Sequence, residues 1–272
     1  MINAKTKLCC IIGNPVEHSL SPQMHNAAFR KLELNYIFLA FKVENVKAAL
    51  EGFRSIVTKG IVVTIPHKLS VMKYVDEIDE IALKIGAVNA IVNVKGKLNA
   101  TNTDCGGAID AMEENINLKG KKISLLGAGG AARAVAYGLK MKRAKVYIYN
   151  RTLDSAKKLV NDFSLDGCSP LRNFKGIRNS DVIINATSVG MAPNEEQSPI
   201  PSDCITSNHL VFDIVYAPHH TKLIKYAKAK KAKIVYGYKM VLYGGMRIFE
   251  FFTGEKAPKE VLEKTLLSAI SK

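Results

Sequence analysis

Residues 123–133 of the chain read ISLLGAGGAAR, a short apolar run that leads through three glycines into an alanine-rich segment. The run predicts a buried β-strand, and the alanines predict a helix that begins directly after the turn. Gly127 permits the tight turn, Gly129 lets the backbone approach a pyrophosphate, and the small Ala132 allows the helix to pack closely on the strand. Free N–H groups at the helix start favour an anion there. The stretch therefore predicts a dinucleotide-binding turn, although a purely structural glycine turn is the alternative.

A second motif follows the next predicted strand, where residues 150–152 read NRT. A site that prefers NAD places an aspartate or glutamate near this point, against the ribose hydroxyl. Arg151 instead offers a guanidinium that can form charge-assisted hydrogen bonds with a 2′-phosphate. This favours NADP as the cofactor. The alternative is that Arg151 faces solvent beside a helix start.

Short β-branched runs alternate with helical patterns along the chain, which indicates an α/β fold with parallel sheets covered by helices. A length of 272 residues allows two lobes. We predict a first α/β lobe over 1–104 and a Rossmann-type, dinucleotide-binding lobe over 105–239. In the first lobe the pattern predicts helical stretches over 67–85 and a strand over 88–94. The C-terminal helices return to the first lobe, so that 240–272 complete it.

The composition is that of an ordinary globular protein, with 47% apolar and 23% charged residues. The apolar runs are far shorter than the roughly 20 residues of a membrane-spanning helix, and no export signal is visible. The five cysteines are an odd number without metal-ligand spacing, and the six histidines form no ligand pattern. We therefore expect a cytoplasmic protein that holds no metal.

The formal net charge of +15 is compatible with nucleic acid, an anionic surface or a small anionic ligand as the partner. Lysines are spread along the sequence, and the densest group, at 222–233, has the spacing of a solvated helix face. No zinc-finger or RNA-binding signature is visible. We expect a small-molecule substrate, no nucleic-acid or membrane partner, and a monomer or homodimer.

Three segments of the first lobe carry unusual chemistry, and each follows a predicted strand. They read HSLSP (18–22), TIPHK (64–68) and NTD (102–104). In open α/β sheets ligands bind beyond the carboxyl ends of the strands, so these hydroxyls, the ammonium and the carboxylate are expected to converge. Taken singly, Ser21 fits a helix cap, Lys68 a surface lysine and Asp104 an N-cap.

Taken together, these motifs resemble those of the shikimate dehydrogenase family over nearly the whole chain. The matching motifs, in order, are GNPVEHSLSPQMHN (13–26), VTIPHK (63–68), GAVNAIV (86–92), NTDCGG (102–107), GAGGAAR (127–133), NRT (150–152) and NATSVGM (185–191). The family resemblance implies an N-terminal substrate-binding lobe and NADPH-dependent reduction of 3-dehydroshikimate to shikimate, on the route through chorismate to aromatic amino acids.

The resemblance also implies roles for single residues. Lys68 and Asp104 match the catalytic pair of the family. The implied substrate-binding residues are Ser19, Ser21, Thr64, Asn89 and Tyr216. The implied cofactor-binding residues are Gly127, Ala128, Gly129, Gly130, Ala131, Asn150, Arg151, Thr152, Ile214 and Gly237.

The chemistry of a ketone reduction accounts for the catalytic residue types. Hydride transfer to a ketone builds negative charge on the oxygen, so a proton donor must lie within hydrogen-bond reach of it. The ammonium of Lys68 can donate that proton, and its free amine can accept one in the reverse oxidation. We expect Asp104 to orient the lysine.

The chain departs from the family pattern at three positions, and one of them is Val62, where the family commonly has an asparagine. Gly244 stands where the family usually has a glutamine whose amide binds the substrate hydroxyls, and weaker substrate binding is expected from its loss. Ser155 stands near the place of a second phosphate-binding arginine in some members, which leaves Arg151 with more of the NADP preference.

Besides a basic nucleic-acid binder, which ranks last, two other functions remain open from the sequence. One is a quinate/shikimate dehydrogenase that uses NAD or both cofactors. The other is a non-catalytic homologue that binds a dinucleotide or a cyclic acid, which the absence of glutamine at position 244 makes conceivable.

Overall fold

Two six-stranded sheets organise residues 2–270, the part of the chain that the computed structural model describes. Contacts between Cα atoms divide these residues into a first unit, 2–103 with 244–270, and a second unit, 104–243. Each unit is built around its own sheet, so the predicted two-lobe α/β fold is confirmed. No helix within residues 2–270 combines the length and the apolar character needed to cross a bilayer.

The first unit contains a mixed sheet with the strand order β2-β1-β3-β5-β6-β4. Its strands are β1 (Lys7–Gly13), β2 (Tyr36–Lys42), β3 (Gly60–Val63), β4 (Glu77–Ile78), β5 (Ala90–Val94) and β6 (Lys97–Thr101). Its helices are α1 (Ser21–Lys31), α2 (Val46–Ser55), α3 (Glu80–Ile85), the second part of α8 (Gly237–Thr253), and α9 (Lys259–Ile270).

The expectation of a parallel sheet is wrong for the first unit, because β5 pairs antiparallel with both β3 and β6. The predicted helical stretch at 67–85 is also interrupted. It contains a 3₁₀ helix at Ser70–Tyr74, then β4, and then α3. The sequence pattern did not predict β6.

A two-residue turn at Lys95 and Gly96 reverses the chain between β5 and β6. Both residues have positive φ, 53° and 86°, as a type I′ hairpin turn requires. The Asn93 side chain accepts a hydrogen bond from the Gly96 N–H at 2.8 Å. Lysine is an uncommon residue in this conformation, so the sequence lacked the usual Asn-Gly or Asp-Gly signal of a hairpin.

The C-terminal helices pack on the first unit, as predicted. Phe249 of α8 lies 5.5 Å from Phe29 of α1, measured between ring centroids. A Cβ placed at Gly60 would overlap the ring of Phe252, so glycine lets α8 approach β3 closely. Helix α9 packs against α1.

The second unit is a doubly wound parallel sheet with the order β12-β11-β10-β7-β8-β9. Its strands are β7 (Lys122–Leu126), β8 (Lys145–Asn150), β9 (Gly167–Pro170), β10 (Val182–Asn185), β11 (Leu210–Asp213) and β12 (Lys233–Tyr236). Its helices are α4 (Asp104–Glu113), α5 (Gly130–Met141), α6 (Leu153–Phe163), α7 (Lys222–Ala229) and the start of α8. This is the strand order of a Rossmann fold, so that prediction is confirmed.

The central strands of the second sheet are buried on both faces, as expected for a parallel sheet between helices. Leu125 of β7, Ile184 of β10 and Phe212 of β11 have no exposed surface. Full burial of each such side chain stabilises the fold by about 1.5–3 kcal/mol. The edge strand β9 was not predicted, because its sequence GCSP lacks β-branched residues and ends in proline.

His25 of α1 lies in an aromatic cluster inside the first unit. Its ring stacks on Phe38 at a centroid distance of 4.7 Å and also lies near Phe29 and Phe249. Neither ring nitrogen has a hydrogen-bond partner within residues 2–270. Burial lowers the pKa of His25 to about 3, because a charged imidazole would lose its hydration there.

This environment predicts that acid destabilises the first unit through His25. The unfolded histidine binds a proton near pH ~6.5 and the folded one does not, so stability falls by up to about 1.4 kcal/mol per pH unit between ~6.5 and ~3. Urea unfolding at several pH values, followed by circular dichroism, measures this slope. His25→Leu removes the group, so its stability should fall less steeply with acid than that of the wild type. Parallel curves for the two proteins would contradict the prediction.

Candidate active site

Four of the predicted substrate-binding residues and Lys68 meet at one edge of the first sheet. Strands β1, β3 and β6 run in one direction and β5 runs in the opposite direction, so the ends of the first three and the start of β5 share that edge. Ser19 and Ser21 follow β1, Thr64 and Lys68 follow β3, and Asn89 precedes β5. The backbone of Thr64 donates a hydrogen bond to the Ile12 carbonyl at 2.9 Å, which ties the ends of β1 and β3 together.

Residues 87–89 hold two of the chemically important segments in place. The Val88 N–H donates to the Lys68 carbonyl at 2.8 Å, which fixes the backbone of the lysine. Asn102 donates from its side chain to the Ala87 carbonyl at 2.9 Å. The amide of Asn89 donates to Thr103 Oγ1 at 2.9 Å and accepts from the Thr103 N–H at 2.8 Å. One short segment therefore fixes both Lys68 and Thr103, the residue directly before Asp104.

The two catalytic candidates differ in their surroundings from the simplest alternatives. Lys68 is half-buried rather than a fully exposed surface lysine. Its neighbour His67 is buried, and the His67 Nε2 atom lies 2.7 Å from the Val43 carbonyl, so this histidine has a structural role. Asp104 is the first residue of α4, at the start of the second unit.

The serines near α1 do not serve as its cap. The N-cap residue is Leu20, and the helix has no side-chain cap within the described residues. The Ser19 hydroxyl accepts a hydrogen bond from the Ser21 N–H at 3.3 Å. The structural alternative for Ser21, a helix cap, is therefore wrong.

Two glycines of the turn after β7, Gly127 and Gly129, differ in their surroundings. Gly127 has a φ of 110°, and a Cβ placed there would lie 2.9 Å from the Ala186 carbonyl oxygen, so packing within the protein demands glycine. A Cβ placed at Gly129 would meet no atom within 4 Å. Packing within the described residues therefore gives no reason for glycine at 129. Helix α5 begins at Gly130 without a side-chain cap, which leaves its N-terminal N–H groups for an anion.

The NRT segment lies at the same edge of the second sheet. Asn150 ends β8, and its side chain donates to the Thr152 carbonyl at 2.8 Å. Thr152 is the N-cap residue of α6 but makes no side-chain capping bond. Arg151 is exposed between them. This turn lies beside the glycine turn and has an arginine and no carboxylate at its centre. It therefore fits a dinucleotide that carries a 2′-phosphate.

The other predicted residues of the second unit follow β11 and β12. The Ile214 N–H donates to the Asn185 carbonyl at 3.1 Å. A Cβ placed at Gly237 would overlap the carbonyls of Ile214 and Val215, so glycine there allows the start of α8 to contact that turn. Tyr216 is half-buried, and burial raises its pKa. Unlike the other predicted substrate-binding residues, Tyr216 lies in the second unit.

Sequence reasoning missed a buried polar cluster beside this turn. Asp213, at the end of β11, accepts hydrogen bonds from Thr221 Oγ1 at 2.6 Å, Asn185 Nδ2 at 2.9 Å and the Val215 N–H at 3.0 Å. Burial raises the pKa of Asp213 to about 6, against the lowering effect of these bonds. The available signal was an aspartate in the apolar run LVFD, next to a strand that ends in the motif NATSVGM.

Gly244 is buried on α8, and the space at its Cα is not filled by close packing. A Cβ placed there would lie 3.7 Å from Thr103 Oγ1 and 3.8 Å from the Thr103 carbonyl oxygen, which are ordinary contact distances. A side chain can therefore begin at this position without displacing the backbone of Thr103.

A cavity of about 470 Å³ opens on a different part of the second sheet. Its lining includes Ser124, Tyr147, Tyr149 and Ser169, and it contains none of the predicted site residues. Residues 2–270 include no cluster of three or more His, Cys, Asp or Glu side chains suited to a metal ion.

Two family models match the chain. Residues 11–91 match the model described as shikimate dehydrogenase substrate binding domain, and residues 110–216 match shikimate / quinate 5-dehydrogenase. A shikimate dehydrogenase (NADP(+)) of Methanobrevibacter smithii is 43% identical over 277 residues, covering 98% of each chain.

Solved structures agree with these matches. A crystal structure of a shikimate dehydrogenase in complex with NADP+ has a TM-score of 0.95 and 41% identity, covering 100% of this chain and 98% of the other. A shikimate 5-dehydrogenase from Thermus thermophilus, in complex with NADP(H) and shikimate, has a TM-score of 0.90 and 32% identity, covering 97% of this chain and 100% of the other.

The two glycines of the turn predict opposite outcomes for the same substitution. Gly127→Ala should lower stability by about 1–3 kcal/mol, because alanine is strained at positive φ and its Cβ meets Ala186. Gly129→Ala should cost at most about 1 kcal/mol of stability but raise the Kd for NADP⁺ by about tenfold or more, because the methyl group blocks backbone approach. Thermal melts without cofactor and calorimetric titration with NADP⁺ measure the two effects. Wild-type NADP⁺ affinity in Gly129→Ala would contradict the assignment.

Proposed function

The chain belongs to the shikimate dehydrogenase family, and from that premise we propose that it interconverts 3-dehydroshikimate and shikimate with NADP(H), using Lys68 as general acid and base. It is thus an NADP-dependent oxidoreductase acting on a CH–OH group. The observation that carries the residue assignment is the bracing by residues 87–89, which hold the backbones of both Lys68 and Thr103, next to Asp104.

The proposed chemistry of Lys68 follows from the charge that develops on the substrate. As the ketone is reduced its oxygen becomes negative, and the Lys68 ammonium donates a proton to it. In the oxidation of shikimate the neutral amine takes the hydroxyl proton. Asp104 orients the amine. General acid catalysis of this kind contributes about 10²- to 10⁴-fold to a rate.

The proposed substrate site uses hydroxyl groups at the edge of the first sheet. Ser19 and Ser21 donate to the substrate carboxylate, and the rejection of Ser21 as a helix cap supports this role. Thr64 contacts a ring hydroxyl or the lysine. Asn89 fixes Thr103 through two hydrogen bonds. It lies at the edge of the first sheet where we place the substrate ring. Tyr216 of the second unit completes the proposed set.

The proposed cofactor site uses the carboxyl edge of the second sheet. NADPH supplies the hydride when it is bound. The turn at 127–131 holds the pyrophosphate, the segment 150–152 holds the adenosine 2′-phosphate, and Ile214 and Gly237 border the nicotinamide. The open space at Gly129 and the exposed Arg151 support these assignments.

The organisation and setting of the enzyme are part of the proposal. We assign residues 1–104 with 240–272 to the substrate-binding domain and 105–239 to the cofactor-binding domain; Met1, Ser271 and Lys272 lie outside the described residues. We propose a cytoplasmic monomer or homodimer whose partners are small molecules rather than nucleic acid or membrane. All five cysteines are free, which suits a reducing compartment.

An absorbance assay of nicotinamide reduction tests the function. With shikimate and NADP⁺ as the only pair supplied, we expect turnover, and we expect a rate with NAD⁺ that is lower by about tenfold or more, because Arg151 favours the 2′-phosphate. Comparable rates with quinate and NAD⁺ would favour the dual-specificity alternative. Tight NADP⁺ binding without turnover would favour the non-catalytic alternative.

Lysine variants in the same assay test the catalytic assignment. Lys68→Ala should lower kcat by about 10²- to 10⁴-fold while NADP⁺ still binds. Lys73→Ala removes an exposed lysine of the neighbouring 3₁₀ helix and serves as the matched control. Near wild-type turnover of Lys68→Ala would refute the role of Lys68.

Gly244 provides a test by gain of binding. Gly244→Gln should lower the KM for shikimate by about two- to tenfold, the equivalent of one added hydrogen bond, because the position has room for a Cβ beside Thr103. Gly244→Ala adds the Cβ without the amide and is the control for helix stabilisation. Equal KM values for the Gln and Ala variants would show that the amide makes no contact with the substrate.

A further inference from the structure

The carboxylate of Asp213 is completely buried and anchors two separate segments of the second unit. Its Oδ1 atom accepts from the Asn185 side chain at 2.9 Å and from the Val215 N–H at 3.0 Å. Its Oδ2 atom accepts from the Thr221 hydroxyl at 2.6 Å. The two oxygens therefore have different tasks, since Oδ1 holds the ends of β10 and β11 and Oδ2 holds the start of α7.

Asn185 transmits this anchor to the loop that follows β10, residues 185–190, here named the β10 loop. The Asn185 Nδ2 group also donates to the Val189 carbonyl at 3.0 Å, and its Oδ1 accepts from the N–H and hydroxyl of Thr187 at 3.1 and 2.7 Å. These bonds use both donors and both acceptor positions of the amide. Turning the amide over would break all of them, so Asp213 fixes its orientation.

The β10 loop in turn contacts the glycine turn. A Cβ placed at Gly127 would lie 2.9 Å from the Ala186 carbonyl oxygen and 3.1 Å from Thr187 Cγ2. Strands β7 and β10 are neighbours, and the strand order reverses between them. In a doubly wound sheet the ligand crevice lies at that reversal, so the β10 loop forms the wall opposite the glycine turn.

The far end of the β10 loop is anchored as well. Gly190 has a φ of 99°, and a Cβ placed there would lie 3.3 Å from the Cβ of Thr221. Thr221 is the N-cap of α7, and its hydroxyl accepts from the Ile224 N–H at 3.2 Å while donating to Asp213. Both ends of the loop therefore depend on groups that Asp213 holds.

We propose that Asp213 is a positioning residue for dinucleotide binding, which sets the β10 loop against the glycine turn through Asn185. The inference rests on the proposed function, because it assumes that the dinucleotide occupies this crevice. Asp213 does not touch the cofactor in this proposal. It acts by fixing the conformation of the β10 loop, which borders the proposed cofactor crevice.

The different tasks of the two oxygens make the proposal specific. An asparagine at 213 keeps the Oδ1 acceptor for Asn185 and Val215, and its amide can donate to the Thr221 hydroxyl, which is able to accept instead of donate. A leucine at 213 has similar size but no acceptor, so the Asn185 and Val215 donors become buried and unpaired. Buried donors without an acceptor destabilise the arrangement of the β10 loop.

Calorimetric titration with NADP⁺ tests this distinction. Asp213→Leu should raise the Kd for NADP⁺ by about tenfold or more, whereas Asp213→Asn should stay within about threefold of the wild type. Asp203→Leu, at an exposed carboxylate of the same unit, is the control for losing a negative charge and should bind like the wild type. Equal Kd values for the Leu variant and the wild type, or an Asn variant as weak as Leu, would overturn the proposal.

A double-mutant cycle tests the route through Asn185. If Asp213 acts through that amide, Asp213→Leu should change the Kd by no more than about twofold when Asn185→Leu is already present. Additive effects would overturn the proposed route.

A milder variant applies if the leucine variants do not fold. Thr187→Val removes the hydroxyl's bond to Asn185 and the acceptor of the Val189 N–H but keeps the methyl group beside Gly127. It should raise the Kd about two- to fivefold. An unchanged Kd would then overturn the proposal. Failure of the wild type itself to bind NADP⁺ would instead contradict the proposed function.

Discussion

A buried amide or hydroxyl without a hydrogen-bond partner costs about 1–3 kcal/mol, and this cost shapes the carboxyl edges of both sheets. In the first unit Asn89 and Thr103 satisfy each other through two hydrogen bonds. In the second unit the Asn185 side chain forms hydrogen bonds with Asp213 and with Thr187 and Val189 of the β10 loop. Because each pairing joins two strand ends, loops that would otherwise be free to move are fixed to the rigid sheet. These pairings help to position the backbone next to the proposed reactive groups.

The glycines of the second unit are of two kinds. Some are required by packing within the protein, and one is proposed to be required by a ligand. Gly127 and Gly237 are required by neighbouring backbone carbonyls, so a larger residue would disturb the fold itself. Gly129 has no such neighbour, and the reason proposed for glycine there is the approach of the cofactor to the backbone. A motif of three glycines thus combines two physical constraints, and substitutions within it are expected to affect stability at one position and binding at another.

The features that the sequence predicted well are local ones. The strand, glycine turn and helix at 122–141 depend on adjacent residues, so the glycine motif itself predicts the turn. The antiparallel β5 and the strand β6 depend on a Lys95-Gly96 turn whose positive φ values no common dipeptide signalled. The edge strand β9 is held by pairing with β8 rather than by its own propensity, so its sequence carried little information.

The same distinction explains which site residues the sequence revealed. Most of the residues proposed to touch substrate or cofactor belong to contiguous motifs, whereas Asp213 stands alone at the end of an apolar strand, 28 positions from its partner Asn185. A single aspartate at a strand end is an ordinary residue until the structure shows that it is buried. Once burial is known, the requirement for partners applies, and following the donors from Asp213 leads through Asn185 and Thr187 to Gly127. Supporting residues of this kind are therefore found by tracing the hydrogen bonds of buried polar groups outward toward a ligand crevice.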